Sequence, residues 1–258
     1  MKRYICTLAA SLCVSFPIAE AKQKIQYVGS STVGQFMAAA VEVYDASAFS
    51  INTKAESGGG ETAIAGGFAD LGGVARDVKP EILSQGVRKF LIGHDAIGVW
   101  VHVDNPVNSL TKAQLKDIFT GKITNWKQVS GEDRSINVYV VNPQSATRKV
   151  FKTTILGTEE YSGKHISTIR PDSAVLEKVA SDAGGIGQLS FAFGGNNGKV
   201  RKIAIGDQEA TVNNPDYPIA RPLYLITKGE PKPAVQEFID WTLSDAGQNV
   251  VKRFFLGR

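Results

Sequence analysis

Residues 24–33 read KIQYVGSSTV, and the fold follows from how this stretch is parsed. Lys24 to Val28 alternates polar and apolar side chains, the period of a half-buried strand. Gly29 breaks the run, and Ser30, Ser31 and Thr32 then supply hydroxyls where a helix needs capping groups. From Val33 to Ala46 the chain is rich in alanine, with Phe36, Ala40 and Tyr44 at helical spacing. A second strand is expected over Phe49 to Glu56, followed by a turn at Ser57-Gly58-Gly59-Gly60. A short helix over Glu61 to Gly66 and a third strand over Ala69 to Val74 complete the pattern. Strand, glycine or hydroxyl turn, helix, strand is the unit that builds parallel sheets.

The alternation continues along the chain. An apolar strand is expected over Ala96 to Val103, after His94-Asp95, and a helix from Leu110-Thr111 to Thr120. Ile136 to Val141 reads as a strand, and Asn142 to Thr147 leads into a helix over Arg148 to Leu156. Ser173 to Ser181 reads as a further helix, and Gly184 to Gly187 as a turn into a strand at Gln188 to Phe191. Leu223 to Thr227 is a late strand, with closing helices over Ala234 to Leu256. No linker, repeat or low-complexity tract divides the chain, so any two lobes must interleave.

The first 21 residues have the form of a cleaved secretory signal. Lys2 and Arg3 precede a mostly apolar run from Tyr4 to Ile18, and Ala19-Glu20-Ala21 ends it with a small-x-small pattern. Both cysteines, Cys6 and Cys13, fall inside this segment. The mature chain then has no thiol for a disulfide or a metal site. The formal net charge is +4, and loss of Lys2, Arg3 and Glu20 lowers it by one. With no block of like charge, this falls short of a nucleic-acid footprint. An apolar content of 43% over 258 residues is enough for a sizeable core.

Three segments share one design, in which a strand ends and hydroxyls or glycines lead into a helix: Ser30-Ser31-Thr32, Ser57 to Gly60, and Ser145-Ala146-Thr147. The first turn of a helix leaves backbone N–H groups unpaired, and its dipole favours negative charge. Such an end holds oxyanions without a formal cation. Each segment alone is ordinarily a simple N-cap; three in one exported chain suggest a common anion. The glycines lack the Gly-Lys-Ser/Thr ending of a phosphate loop, since Gly60 is followed by Glu61-Thr62. His94, His102 and His165 are scattered, so no metal ligand set is expected. Ser145 has no recognisable histidine-and-acid arrangement, so catalysis is not expected.

The chain resembles the phosphate-binding proteins of bacterial ABC importers, the PstS-type periplasmic binding proteins. The resemblance rests on Leu110-Thr111, Ile118-Phe119-Thr120-Gly121 and Ile123-Thr124-Asn125-Trp126, then on Tyr217-Pro218-Ile219-Ala220-Arg221-Pro222-Leu223-Tyr224. Gly184 to Gly187, Lys228-Gly229-Glu230-Pro231, Phe238-Ile239-Asp240 and Gly247-Gln248 extend it over nearly all of the mature sequence. It implies an α/β fold, the two-lobed type II periplasmic binding protein, with a mainly parallel sheet in each lobe and a ligand cleft between. The expected boundaries are a signal at 1–21, lobe I at 22–97, lobe II at 98–217 and a return to lobe I at 218–258. The hinge crossings are expected near Asp95 to Gly98 and near Pro218 to Arg221.

Carried over by position, the resemblance puts the anion on Thr32 and the backbone of Val33, on Ser57, and on Ser145, Ala146 and Thr147. It implies a monomer in the periplasm that takes inorganic phosphate or a similar oxyanion to an inner-membrane ABC permease, without cofactor, metal or nucleic acid. Two positions depart from the family. Ala75 stands where an aspartate or serine is usual, and Val141 where an arginine is frequent. Arg76 and Arg148, next to the altered segments, are the candidate replacements, because a guanidinium holds two anion oxygens at once. The alternative is a divergent relative acting as a sensor or assembly component with weak or no anion binding.

Overall fold

The computed structural model describes residues 22–194, 197–211, 214 and 216–257, so the expected signal over 1–21 lies outside the described residues. β1 (Lys24–Gly29) buries Ile25 and Tyr27 on one face, as its alternation requires. Ser30 caps α1 (Ser31–Ala40) by accepting from the N–H groups of Thr32 and Val33. β2 (Ala48–Asn52), α2 (Glu56–Ala65), β3 (Leu71–Val74) and α3 (Pro80–Leu83) follow. β1 lies between β2 and β3, parallel to both. β4 (Val87–His102) then runs for 16 residues.

The next segment comprises β5 (Ser109–Leu110), α4 (Lys112–Phe119), β6 (Asn137–Val141), α5 (Ala146–Phe151), β7 (Ile166–Ile169) and α6 (Ala174–Ala180). β8 (Gly185–Ser190) and β9 (Val200–Ile205) complete it. β6 pairs in parallel with both β7 and β8. The chain returns through β10 (Ala220–Lys228), α7 (Pro233–Leu243) and α8 (Asp245–Val251).

The strands follow the order β2-β1-β3-β10-β4-β8-β6-β7. β4 joins the two halves. From Val87 to Ala96 it pairs antiparallel with β10, and from Ile97 to Val101 with β8. One unbroken strand thus changes partners at Ala96–Ile97, which places Asp95 beside the junction.

Each half has its own core. In the first, Ile25, Tyr27, Phe36, Met37, Leu71 and Phe238 are fully buried. Phe238 lies 4.8 Å from Phe49 and 5.1 Å from Tyr44, ring centre to ring centre. In the second, Ile97, Leu115, Phe119, Val138, Phe151 and Ile186 are buried, with Phe119 and Phe151 at 4.7 Å. Trp126 packs in this core and donates its indole N–H to Gly184 O at 2.9 Å. Burial of each such large side chain contributes about 1.5–3 kcal/mol, so the two halves are separately anchored.

Several boundaries differ from the sequence expectation. α2 begins at Glu56 and includes the glycine run that reads as a turn. Packing explains this: a Cβ on Gly60 would lie 2.8 Å from Gly29 Cα and 2.9 Å from Val28 O. Glycine here lets a helix sit directly on a strand, and tertiary contact overrides its poor helix propensity. β4 starts at Val87, well before Ala96, and β8 starts at Gly185, within the expected turn. α1 stops at Ala40, six residues short of Ala46 by number, and α5 starts at Ala146. β7 and β9 have no counterpart in the expectation, because Ser167 and Thr168 of β7 are exposed and Arg201 and Lys202 interrupt the apolar run of β9.

Candidate functional site

The N-terminal ends of α1, α2 and α5 bring their hydroxyls to the seam between the halves. Thr32, Ser57, Ser145 and Thr147 are all buried there. The halves touch at this point, since a Cβ on Gly58 would lie 3.9 Å from Gln144 O. Ser57 Oγ accepts from the N–H of Ala75 at 3.1 Å, which leaves its own O–H available to donate. Ser145 caps α5, accepting from Thr147 N–H at 3.2 Å. The amides of Thr32 and Val33 reach Ser30 Oγ at 3.1 and 3.3 Å. The Ser30 cap thus already satisfies the Val33 amide. Ala146 is buried at the first position of α5.

The cation at this seam comes from a residue outside the expected set. Arg221, on β10, is 2% exposed. Its Nε and Nη2 donate to Asp95 Oδ2 at 2.9 and 2.7 Å, and Nη2 also donates to Thr32 Oγ1 at 2.9 Å. Ser190 donates to the other Asp95 oxygen at 2.7 Å. Nη1 of Arg221 is buried and has no hydrogen-bond partner among the described residues. An unpartnered buried guanidinium nitrogen is costly, and its presence beside Thr32 marks a place for an acceptor.

The two arginines named from sequence are engaged differently. Arg76 forms a two-point contact with Glu61, Nη1 to Oε1 and Nη2 to Oε2, both at 2.6 Å. Its Nη1 also bonds the Asp77 carbonyl. Arg148 donates to Val141 O at 2.9 Å and lies over the Tyr161 ring at 4.4 Å. Ala75 and Val141, the two departures from the family pattern, are both fully buried.

Two further carboxylates border the seam. Glu56, 5% exposed, accepts through Oε2 from Ser31 N–H at 3.2 Å and Ser31 Oγ–H at 3.1 Å. Its backbone has φ +54°, left-handed for a non-glycine residue, a conformation that costs about 1–3 kcal/mol and clusters at functional sites. Asp172, 1% exposed, accepts from Asn142 Nδ2 at 2.8 Å. Burial, then the facing Asp172, pushes the Glu56 carboxyl up to about 7. Burial also raises Asp172 and Asp95, opposed for Asp95 chiefly by Arg221. Both Glu56 and Asp172 line a cavity of about 770 Å³ that opens beside the seam.

Among the described residues no group of three or more His, Cys, Asp or Glu side chains is arranged to hold a metal. No described helix is long and apolar enough to cross a membrane. Arg221 and Asp95 escape a reading based on hydroxyl turns, yet their signal is present. Each is a lone charge inside an apolar strand, at IARPLYLI and HDAIGVWV, and a buried charge demands a partner.

The PBP superfamily domain matches residues 17–246. Protein SphX of Synechococcus elongatus is 30% identical over 95% of this chain and 80% of its own length. The phosphate-binding protein PstS of Bacillus subtilis is 30% identical over 84% of this chain and 74% of its own. A solved Clostridium perfringens protein, described as a phosphate ABC transporter substrate-binding protein with bound phosphate, superposes with a TM-score of 0.84. It is 29% identical and covers 92% of this chain and 99% of that one.

Proposed function

The chain belongs to the PBP superfamily, in its PstS-type branch, and we propose that it captures phosphate or a related inorganic oxyanion for an ABC importer. The observation that carries this reading is the partnerless Nη1 of Arg221, buried next to Thr32 at the seam where Ser57, Ser145 and Thr147 converge. An oxyanion there receives one charge-assisted hydrogen bond and several hydroxyl hydrogen bonds in place of its hydration shell. In this reading Thr32, Ser57, Ser145, Thr147 and Arg221 are the ligand-binding side chains. Arg76 and Arg148 hold the framework.

The reading extends to the lobes. Residues 22–97 and 218–258 form one lobe and 98–217 the other, crossing at β4 and at the start of β10. Ligand contact with both lobes stabilises the closed state, and opening at an inner-membrane permease releases the anion. The signal-like segment at 1–21 fits export to the periplasm, where such a protein meets its ligand as a monomer.

Calorimetry with phosphate, arsenate and sulfate tests the capture. Heat and a raised melting temperature with phosphate are expected. No heat and no melting shift with any of the three would leave the sensor or assembly role in its place.

A further inference from the structure

Resting on that reading, the surroundings of Arg221 narrow the class of ligand. Arg221 forms part of the wall of a second cavity, of about 330 Å³, which shares no lining residue with the one that holds Glu56 and Asp172. Its side chain is buried, and Nη1 has no hydrogen-bond partner among the described residues. The rest of the wall continues from the seam. Ala75, whose N–H is held by Ser57 Oγ, runs into Arg76, Asp77 and Lys79 on one side. On the other, Lys149 lies one turn of α5 beyond Ser145, its N–H bonded to Ser145 O at 3.4 Å. The seam hydroxyls and this cavity therefore adjoin.

The positive charges on this wall are not all paired. Arg76 is held by Glu61 at two points, and two of the Arg221 nitrogens are held by Asp95. Lys79 Nζ lies 4.0 Å from Glu61 Oε2, beyond hydrogen-bond distance, and Arg76 already occupies that carboxylate. Lys149 has no ion pair and no side-chain hydrogen bond among the described residues. Asp77 is the one carboxylate among the described residues of the wall, and it is exposed. Lys79 comes from the first half and Lys149 from the second, so an ammonium group without a close partner stands on each side. A phosphate held by Arg221 and the hydroxyls needs neither. At about 30 Å³ per water, the cavity takes roughly ten water-sized groups, room for a second phosphoryl group beside the first. The other cavity offers no such place, because Glu56 and Asp172 would face the added negative charge.

We propose that this cavity is a subsite for a second phosphoryl group, so that the protein binds condensed inorganic phosphate, with diphosphate the smallest ligand that fills both positions. One phosphoryl group takes the seam, against Arg221 and the hydroxyls of Thr32, Ser57 and Thr147. The other takes Lys79 and Lys149, whose flexible stems carry compact point charges suited to phosphate oxygens. Thr154, on the same wall and with no hydroxyl partner among the described residues, is a further donor to it. Contact of the second group with a lysine from each half adds to the stabilisation of the closed state.

Titration calorimetry with phosphate and with diphosphate, at equal and low ionic strength, tests the subsite on the wild type and on a Lys79→Ala, Lys149→Ala double variant. Neither lysine is buried, so the variant should fold as the wild type does. The wild type is expected to bind diphosphate more tightly than phosphate. The double variant should lower the ratio of diphosphate to phosphate affinity roughly 5- to 30-fold, the range for two exposed ion pairs. Wild-type protein that takes phosphate but holds diphosphate no more tightly would overturn the subsite and leave the capture of phosphate intact. An unchanged ratio in the variant would also overturn it, because the lysines would then attract any anion alike. Wild-type protein that binds neither anion would instead refute the capture itself.

Discussion

Arg221 on β10 and Asp95 on β4 meet through a single carboxylate oxygen, Oδ2, with Nε at 2.9 Å and Nη2 at 2.7 Å. The arrangement uses up one edge of the guanidinium and leaves Nη1 without a partner among the described residues. Asp95 stands beside the residue pair where β4 passes from one half of the sheet to the other. The same contact therefore orients the candidate ligand cation and ties the junction of the halves. Removing only one partner leaves a buried charge uncompensated, which costs about 3–5 kcal/mol.

Arg221→Met should lower stability by about that amount, about 3–5 kcal/mol, visible as a fall in the denaturant midpoint. Arg221→Lys keeps the charge but lacks the fork. It should retain more stability and lose at least roughly tenfold in phosphate affinity. Full phosphate affinity in Arg221→Lys would show that Nη1 does not contact the ligand.

Thr32→Val keeps the side-chain shape and removes the acceptor for Arg221 Nη2. In the proposed capture it also removes a hydroxyl donor to the ligand. Hydrogen bonds to charged groups contribute about 1.5–3 kcal/mol, so a loss of roughly 10- to 100-fold in affinity is expected. Titration calorimetry reads this directly, and a change below twofold would place Thr32 outside the ligand shell.

Glu61→Ala separates a framework role for Arg76 from a ligand role. Glu61 is buried and holds both terminal nitrogens of Arg76. Its removal should destabilise the protein by about 3–5 kcal/mol while the folded variant keeps its phosphate affinity within a factor of about two to three, the scatter typical of such context effects. A large gain in affinity would mean that the released guanidinium reaches the anion.

The ligand-free protein should lose stability as pH rises through the range of Glu56. Its carboxyl lies at about 7 in the folded chain against 4.5 for the ordinary group. Between those values the folded state binds more protons than the unfolded state, so the stability to unfolding falls with pH. The contribution is fully present below about 4.5 and lost above about 7, by up to about 3 kcal/mol. Chemical denaturation of wild type and Glu56→Gln across this window checks it. The slope difference between the two should vanish above pH 7, and parallel curves throughout would contradict the raised carboxyl.

Much of the architecture is legible in local pattern. The alternation at Ile25 and Tyr27, the cap at Ser30 and the capping box of Thr111 and Gln114 all act within a few residues, and each forms as its sequence dictates. The hydroxyls Thr32, Ser57, Ser145 and Thr147 are identifiable for the same reason, since each lies at or next to the start of its helix. The glycine run is not legible. Ser57 to Gly60 has the composition of a turn, and it becomes helix only because β1 leaves no room for a Cβ at Gly60.

What the amino-acid sequence by itself determined is therefore the alternation of strands and helices, the hydroxyls that lead into several of those helices, and membership of a family built from them. The tertiary structure decided the charge at the site. Arg221 lies 126 positions from Asp95 and 189 from Thr32, and Glu56 faces Asp172 from the other half. Capping and periodicity are short-range, fixed by 3–4 residues of chain, whereas Coulomb and desolvation terms depend on distance and burial in space. Only the folded chain brings Asp95 to Arg221 and Glu56 to Asp172.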